Sequence, residues 1–417
     1  MRMPKLNTTI LHIQKLTDQL GTPTLPPVHQ VSAFAQPSAE QMERVFRNQA
    51  PGFAYTRLQN PTVLAFEQRM AALEGGVAAV ACASGMAAVS MTLLNILQTG
   101  DELIATSRLY GGTLNLFHDL EQLGITTRFA PKSTGDAIAP LITPKTKLIF
   151  TEIISNPGLD IADVAALAAL AHENNLPLIV DSTTVTPVLL NPIKLGADVV
   201  VHSSSKYING GGNAISGVII DSGRFQWDPE RWPALKDFCK VPKLAFTARL
   251  RNDIWQNFGP CLSPQNAFLN TVGLETIGLR VERECQNALA LARALEQLEG
   301  IYAVNYPGLE RSPSHKLTAQ FEGGMAGALL TFRTGSKARA FALINHLKYA
   351  CIVSNIGDIR TLVVHPASSI YIHSDREEQE QAGVYDDLVR VSVGIEHIDD
   401  LIEDFTAAVS AMQAVES

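Results

Sequence analysis

From residue 59 to residue 220 the chain alternates short, largely apolar runs with stretches long enough for helices. Strands without a polar face fit only a sheet that is covered on both sides. Strand–helix alternation of this kind predicts a mostly parallel, doubly covered α/β sheet. The first helix is well marked: Asn60 is a good N-cap, Pro61 suits the first helical position, and Gly75-Gly76 stops it. Strands are expected at Ala78–Ala83, Glu102–Thr106, Lys147–Glu152, Leu178–Ser182, Val199–Ser203 and Ile215–Ile220. Helices at Met86–Gln98, Gly112–Leu123 and Ile161–Asn174 lie between them.

The pattern changes after about residue 250. Asn270–Leu298 reads as one long helix. Strands at Ala328–Phe332, Thr361–Val364 and Leu388–Val393 then sit among helices at 336–347 and 397–414, as in a smaller α+β domain. Residues 1–55 read as irregular, because the prolines of Thr22-Pro23-Thr24-Leu25-Pro26-Pro27 fix φ and remove donors. Val28, Val31, Phe34, Phe46 and Phe53 argue that this arm packs on something. A chain of 417 residues exceeds one ordinary core. The expected division is an arm at 1–58 leaning on a neighbouring subunit, a large α/β domain at 59–255 and an α+β domain at 256–417.

Composition closes off several classes. Hydrophobic residues at 46% and charged residues at 18% supply a large core and argue against disorder. A net charge of -8 with no Lys/Arg run makes nucleic acid a poor partner. The five cysteines are odd in number and lack CxxC spacing, so neither a disulfide framework nor a metal site is expected. With no apolar run long enough for a bilayer and no apolar signal segment, a cytoplasmic protein without membrane contact is expected.

Lys206 carries the sharpest chemical signal. It follows Val199-Val200-Val201-His202-Ser203-Ser204-Ser205, where a strand ends in hydroxyl residues. The carboxyl end of a strand is where an α/β sheet builds its ligand site. A partly desolvated lysine there becomes a nucleophile toward an aldehyde; the bland alternative is a solvated surface lysine. Ala83-Ser84-Gly85-Met86 joins a strand to a helix N-terminus, a ready anion site, and Ser203 and Ser205 could add hydroxyl donors. Asp181 is a lone carboxylate after an apolar strand, which could equally cap a helix. Tyr110, at another strand end, could stack on a planar ring or simply pack. Tyr55 and Arg57 precede the first helix, and an arginine fork suits a phosphate as well as a surface ion pair. Arg390 interrupts the strand Leu388–Val393 with a charge that wants a carboxylate partner. Gly210-Gly211-Gly212 is no dinucleotide fingerprint and more simply permits a tight turn past the lysine.

In this order, the pieces resemble the Cys/Met-metabolism family of pyridoxal 5′-phosphate (PLP) enzymes, within the aspartate-aminotransferase-like fold group. The resemblance runs from about residue 20 to about residue 410 and is most specific at Asp198–Asn213. Tyr55-Thr56-Arg57, Leu109-Tyr110-Gly111-Gly112-Thr113, Leu178–Thr183, Asn355-Ile356-Gly357-Asp358, His365-Pro366-Ala367-Ser368 and Leu388–Gly394 also match it. It implies a PLP-dependent transferase fold with a seven-stranded-type, mostly parallel sheet. It makes Lys206 the Schiff-base lysine and proton shuttle, places Asp181 on the pyridine nitrogen, and stacks Tyr110 on the ring as candidate acid/base. It gives the phosphate to Gly85, Met86, Ser203 and Ser205, and to Tyr55 and Arg57 of a neighbouring subunit. It puts Asn156 near the ring oxygen, and Asn355 and Arg390 on the substrate carboxylate. A shared site implies an obligate dimer, usually paired into a homotetramer.

Asn257–Leu274 and Val393–Asp399 are most similar to O-acetylhomoserine sulfhydrylases. Gly112 stands where methionine γ-lyases typically carry cysteine, and Arg360 where cystathionine enzymes and lyases tend to carry glutamate. One departure is Ser369-Ile370-Tyr371-Ile372-His373, where sulfhydrylases tend to have a Thr-Thr-His pattern. The expected activity is γ-replacement on O-acetyl-L-homoserine by sulfide or a thiol, giving L-homocysteine or methionine and acetate. The rival is a γ-lyase using the same core residues. An NAD-dependent oxidoreductase lacks its glycine fingerprint here, and a non-catalytic scaffold has no need of Lys206, Asp181 and Tyr110 together.

Overall fold

The computed structural model describes residues 5–12 and 23–414. Strands β1 (Ala78–Cys82), β2 (Glu102–Thr106), β3 (Thr126–Ala130), β4 (Thr146–Glu152), β5 (Leu178–Asp181), β6 (Val199–His202) and β7 (Gly217–Asp221) form one sheet in the order β1-β7-β6-β5-β4-β2-β3. The pairs β2–β3, β2–β4, β4–β5 and β5–β6 are parallel, while β7 runs antiparallel to both of its neighbours. The strands lack polar alternation because both faces are covered. Leu178, Val180 and Val200 enter one core, whereas Ile179, Val199 and Val201 enter the other.

Local signals set the ends of the first helix, Pro61–Glu74. Asn60 Oδ1 accepts from the Thr62 amide at 2.9 Å, and Gly75 closes the helix at φ 73°. Sequence reasoning missed β3, a half-exposed edge strand in which Arg128 breaks the apolar pattern by reaching Glu102.

A second sheet holds β8 (Tyr302–Asn305), β9 (Leu329–Arg333), β10 (Cys351–Ile352), β11 (Leu362–Val364) and β12 (Leu388–Ser392) in the order β10-β11-β12-β9-β8. Its core is built from residues such as Phe332, Val389 and Val391 together with Phe405 of the last helix, Ile398–Gln413. Thus β12 is central and Arg390 sits mid-strand, opposite Thr331 and Val364.

Two expectations need correction. The helix expected at Asn270–Leu298 is two helices, Pro264–Glu275 and Ile277–Leu295, broken at Thr276 with φ -113° and ψ 4°. The Arg280 guanidinium donates to the Gly273 carbonyl at 2.8 Å, engaging an acceptor that an unbroken helix would offer to the Ile277 amide. The N-terminal arm is not wholly irregular either. Helices form at Leu6–His12 and Ala39–Phe46, and Ile10 is buried against the helices 61–74 and 264–275. Thr22 lies outside the described residues. Val31 and Phe46 remain exposed, while the rings of Phe34 and Phe53 meet at a tilt with centroids 5.7 Å apart. Among the described residues no helix is long and apolar enough to cross a membrane.

Candidate active site

The carboxyl ends of β1, β2, β4, β5 and β6 all open on one edge of the seven-stranded sheet. That edge is one wall of a cavity of about 500 Å³, and the second sheet supplies the opposite wall. Lining residues include Gly85, Tyr110, Asp181, Lys206, Asn355 and Arg390. Parallel strands converge their ends this way whatever the loops contain, which is why residues far apart in sequence meet here.

Lys206 follows β6 on a turn in which its amide donates to Ser203 O at 3.2 Å. Gly210 at φ 69° and Gly212 at φ 65° then carry the chain away, the turn expected from the glycine cluster. Burial, and secondarily the Arg390 charge, lower the lysine to about 8. Its Nζ donates to Asn355 Oδ1. Arg390 Nη2 donates to the backbone carbonyl of the same Asn355 at 3.0 Å, and Nη1 to Asn156 Oδ1 at 3.1 Å. Burial holds Arg390 at about 10, and its buried Nε has no partner among the described residues. A buried guanidinium with spare donors can accept a carboxylate partner.

Asp181 accepts from the Thr183 amide at 2.9 Å, and burial raises its carboxyl. Glu152, one strand away, lines the same cavity and accepts from the Tyr110 amide at 2.7 Å. Burial, then the Asp181 charge, push Glu152 well above the carboxylate range. Sequence reasoning missed Glu152, which the sequence pattern counts only as the last residue of the strand Lys147–Glu152. It also missed Thr183, whose Oγ1 accepts from the Ser203 amide at 2.8 Å and sets the turn before Lys206.

The helix Gly85–Leu94 aims its N-terminus at the cavity. Ser84 caps it through the Ala87 amide at 3.0 Å, which leaves the preceding two amides for a ligand. A Cβ on Gly85 would lie 2.5 Å from Ser203 Cβ, so only glycine leaves this cradle open. Ser203 lines it as expected. Ser205 also reaches the cavity, but its hydroxyl already donates to Ser216 O at 3.0 Å and accepts from the Ser216 amide at 2.8 Å. Tyr55 and Arg57 stand outside the cavity lining. Arg57 lies over the Tyr55 ring at 5.5 Å and donates to Gln256 O at 2.7 Å. Arg360 pairs with Asp358 at 2.9 Å and is likewise not part of the lining.

The model for Cys/Met metabolism PLP-dependent enzymes matches residues 7–410. The chain belongs to that family. Its residues fit the cofactor: an anion cradle at Gly85 and Ser203, a half-buried carboxylate at Asp181 and a desolvated lysine line one cavity. Among curated relatives, the homocysteine synthase of Schizosaccharomyces pombe is 39% identical, covering 96% of this chain and 97% of that one. The L-methionine gamma-lyase of Fusobacterium nucleatum subsp. polymorphum is also 39% identical, covering 96% of each chain. The crystal structure of an O-acetylhomoserine (thiol)-lyase from Campylobacter jejuni superposes with a TM-score of 0.91 at 33% identity, covering 97% of this chain and 99% of that one. That protein carries N'-pyridoxyl-lysine-5'-monophosphate. The PLP-dependent fold expected from the sequence is therefore the fold of this chain.

Proposed function

We propose that the protein catalyses γ-replacement on O-acetyl-L-homoserine, exchanging acetate for sulfide or a small thiol to give L-homocysteine or a homologue. One observation carries this reading. Lys206 and Arg390 meet through Asn355 in one cavity, so a proton-transfer amine stands beside a carboxylate receptor. Amino-acid substrates have an α-carboxylate for the receptor and an α-proton for the amine. The similarity to a homocysteine synthase and to an O-acetylhomoserine (thiol)-lyase supports the acetylated homoserine as the substrate.

Arg390, with Asn156 and Asn355 orienting it, binds the substrate carboxylate. Lys206, neutral above about pH 8, removes the proton at Cα and returns protons along the side chain. Bound PLP supplies an electron sink for the charge left at Cα, and Asp181 supports it at the ring nitrogen. Tyr110, in the same cavity lining, would cover the ring and supply an acid near the γ-leaving group. Gly85, Met86, Ser203 and Ser205 take the phosphate, with Ser205 turning from Ser216 to do so. The atoms balance: O-acetylhomoserine and hydrogen sulfide become homocysteine and acetic acid.

The same reading makes the protein a cytoplasmic homotetramer with a large domain at 59–255 and a smaller one at 256–417. Tyr55 and Arg57 of the arm, 1–58, would serve the phosphate site of a neighbouring chain. Their position outside their own cavity supports this, as does the 43% exposure of Tyr55.

The test is to supply the purified holoenzyme with O-acetylhomoserine and sulfide and to measure homocysteine and acetate together. Equimolar release of both is expected. Release of 2-oxobutyrate and ammonia from methionine, with no homocysteine formed, would move the assignment to the γ-lyase.

A further inference from the structure

The segment Ser369-Ile370-Tyr371-Ile372-His373 departs from the sulfhydrylase pattern, and it lies against the cavity. Ile370 is part of the lining. Tyr371 is 2% exposed and packs with Ala367, Ala382 and Val384. The segment is held from its own side: the Tyr371 amide donates to Pro366 O at 3.1 Å, and Gln379 Nε2 donates to Tyr371 O at 2.8 Å. The side chain then crosses to the loops of the seven-stranded sheet.

Its hydroxyl donates to Leu109 O at 3.0 Å and lies 3.3 Å from Asn156 O. Leu109 immediately precedes Tyr110, and Asn156 holds Arg390 Nη1. One phenolic proton therefore touches both loops that shape the substrate side of the cavity. Gly111 lies flat beneath the phenol: a Cβ there would sit 3.7 Å from the ring and 3.4 Å from Ile370 O. Burial pushes the phenol well up, so the hydroxyl remains a donor throughout the working range.

We propose that Tyr371 is a positioning residue: its hydroxyl pins the Tyr110 and Asn156 loops to the Ile370 wall, and through Asn156 it sets the aim of Arg390 at the substrate carboxylate. This rests on reading the cavity as an amino-acid site, but not on the identity of the leaving group. It assigns a role to a residue that is specific to this chain's departure from the sulfhydrylase pattern. A phenylalanine there would keep the packing and lose only the tie.

The experiment compares wild-type and Tyr371→Phe holoenzymes. L-Norvaline, an amino acid without a γ-leaving group, is titrated against the visible band of the bound cofactor, and kcat and KM are measured with O-acetylhomoserine. The variant is expected to bind L-norvaline about 5- to 10-fold more weakly, the loss typical of one buried hydrogen bond. KM should rise by a similar factor, with cofactor content unchanged and kcat falling less than KM rises. Tyr371→His, which retains a ring donor on a shorter side chain, should show an intermediate loss. An unchanged L-norvaline affinity, even with a lowered melting temperature, would leave the hydroxyl merely structural and overturn the proposal. So would a Phe variant recovered unfolded or without cofactor, and so would a wild-type enzyme that L-norvaline does not perturb. A wild-type enzyme that binds L-norvaline but makes no homocysteine defeats the sulfhydrylase reading and leaves this one standing.

Discussion

Glu152 and Asp181 stand opposite each other on neighbouring parallel strands, β4 and β5, with both carboxyls facing the cavity. Two carboxylates so placed, one buried and one half-buried, do not both ionise. Burial raises both, Glu152 further because the Asp181 charge adds to it, while the Thr183 hydroxyl and amide hold Asp181 back, so the proton goes to Glu152 and Asp181 keeps its charge. Glu152→Gln should therefore retain turnover within about threefold, since it replaces a neutral acid by a neutral amide that still accepts from the Tyr110 amide. Asp181→Asn removes the anion and should lower kcat by about 100-fold or more while the cofactor stays bound. Steady-state rates and the visible band of each variant check the pair.

Lys206 gives a pH signature in the cofactor-free protein. Its burial holds it near 8, against 10.5 when free. Only the neutral amine attacks an aldehyde, so PLP uptake should rise about tenfold per pH unit below 8 and level off above it. The folded state binds fewer protons than the unfolded state between about 8 and 10.5, so this group's contribution to stability improves as pH rises through that window. Lys206→Ala should abolish turnover, lowering kcat by at least about 1,000-fold. Stopped-flow uptake and denaturation across pH measure these effects.

Arg390→Ala deletes the carboxylate receptor and also the second cause of the lysine's shift. Substrate KM should increase by about 100-fold, as when one partner of a buried charge pair is lost. The pH midpoint of PLP uptake should move upward as well. Arg390→Lys should recover only part of the loss, because a single ammonium nitrogen lacks the planar fork whose Nη1 and Nη2 reach Asn156 and Asn355 separately. Titration of KM and of the uptake midpoint in both variants tests this.

Gly85→Ala places a Cβ 2.5 Å from Ser203 Cβ and 2.9 Å from its Cα, closing the anion cradle. PLP affinity should drop by at least about tenfold, the cost of displacing a close backbone contact. Inorganic phosphate should compete with PLP in the wild type more effectively than in the variant. Equilibrium dialysis with PLP provides the measurement.

The sequence by itself determined the features that rest on local chemistry. Apolar strands without a polar face could only be buried on both sides, so the parallel sheet was legible. Asn60, Pro61 and Gly75 marked a helix through their own capping preferences. Asp181 stands out as a lone carboxylate after an apolar run, and Lys206 as the lysine that a strand end rich in hydroxyl residues presents. Edge strand β3, the break at Thr276 and the arm helix Leu6–His12 were not legible, since each depends on a partner elsewhere in the chain: Glu102 for β3, the Tyr207 and Ile208 carbonyls that hold Arg280 beside the break, and the helices that cover Ile10. Only the tertiary structure decided the site. Lys206 and Asn355 are 149 residues apart and Arg390 and Asn156 are 234 apart, yet they form one hydrogen-bonded chain. The convergence of strand ends on one edge, faced by a second sheet, brings them together, and no local pattern encodes that distance.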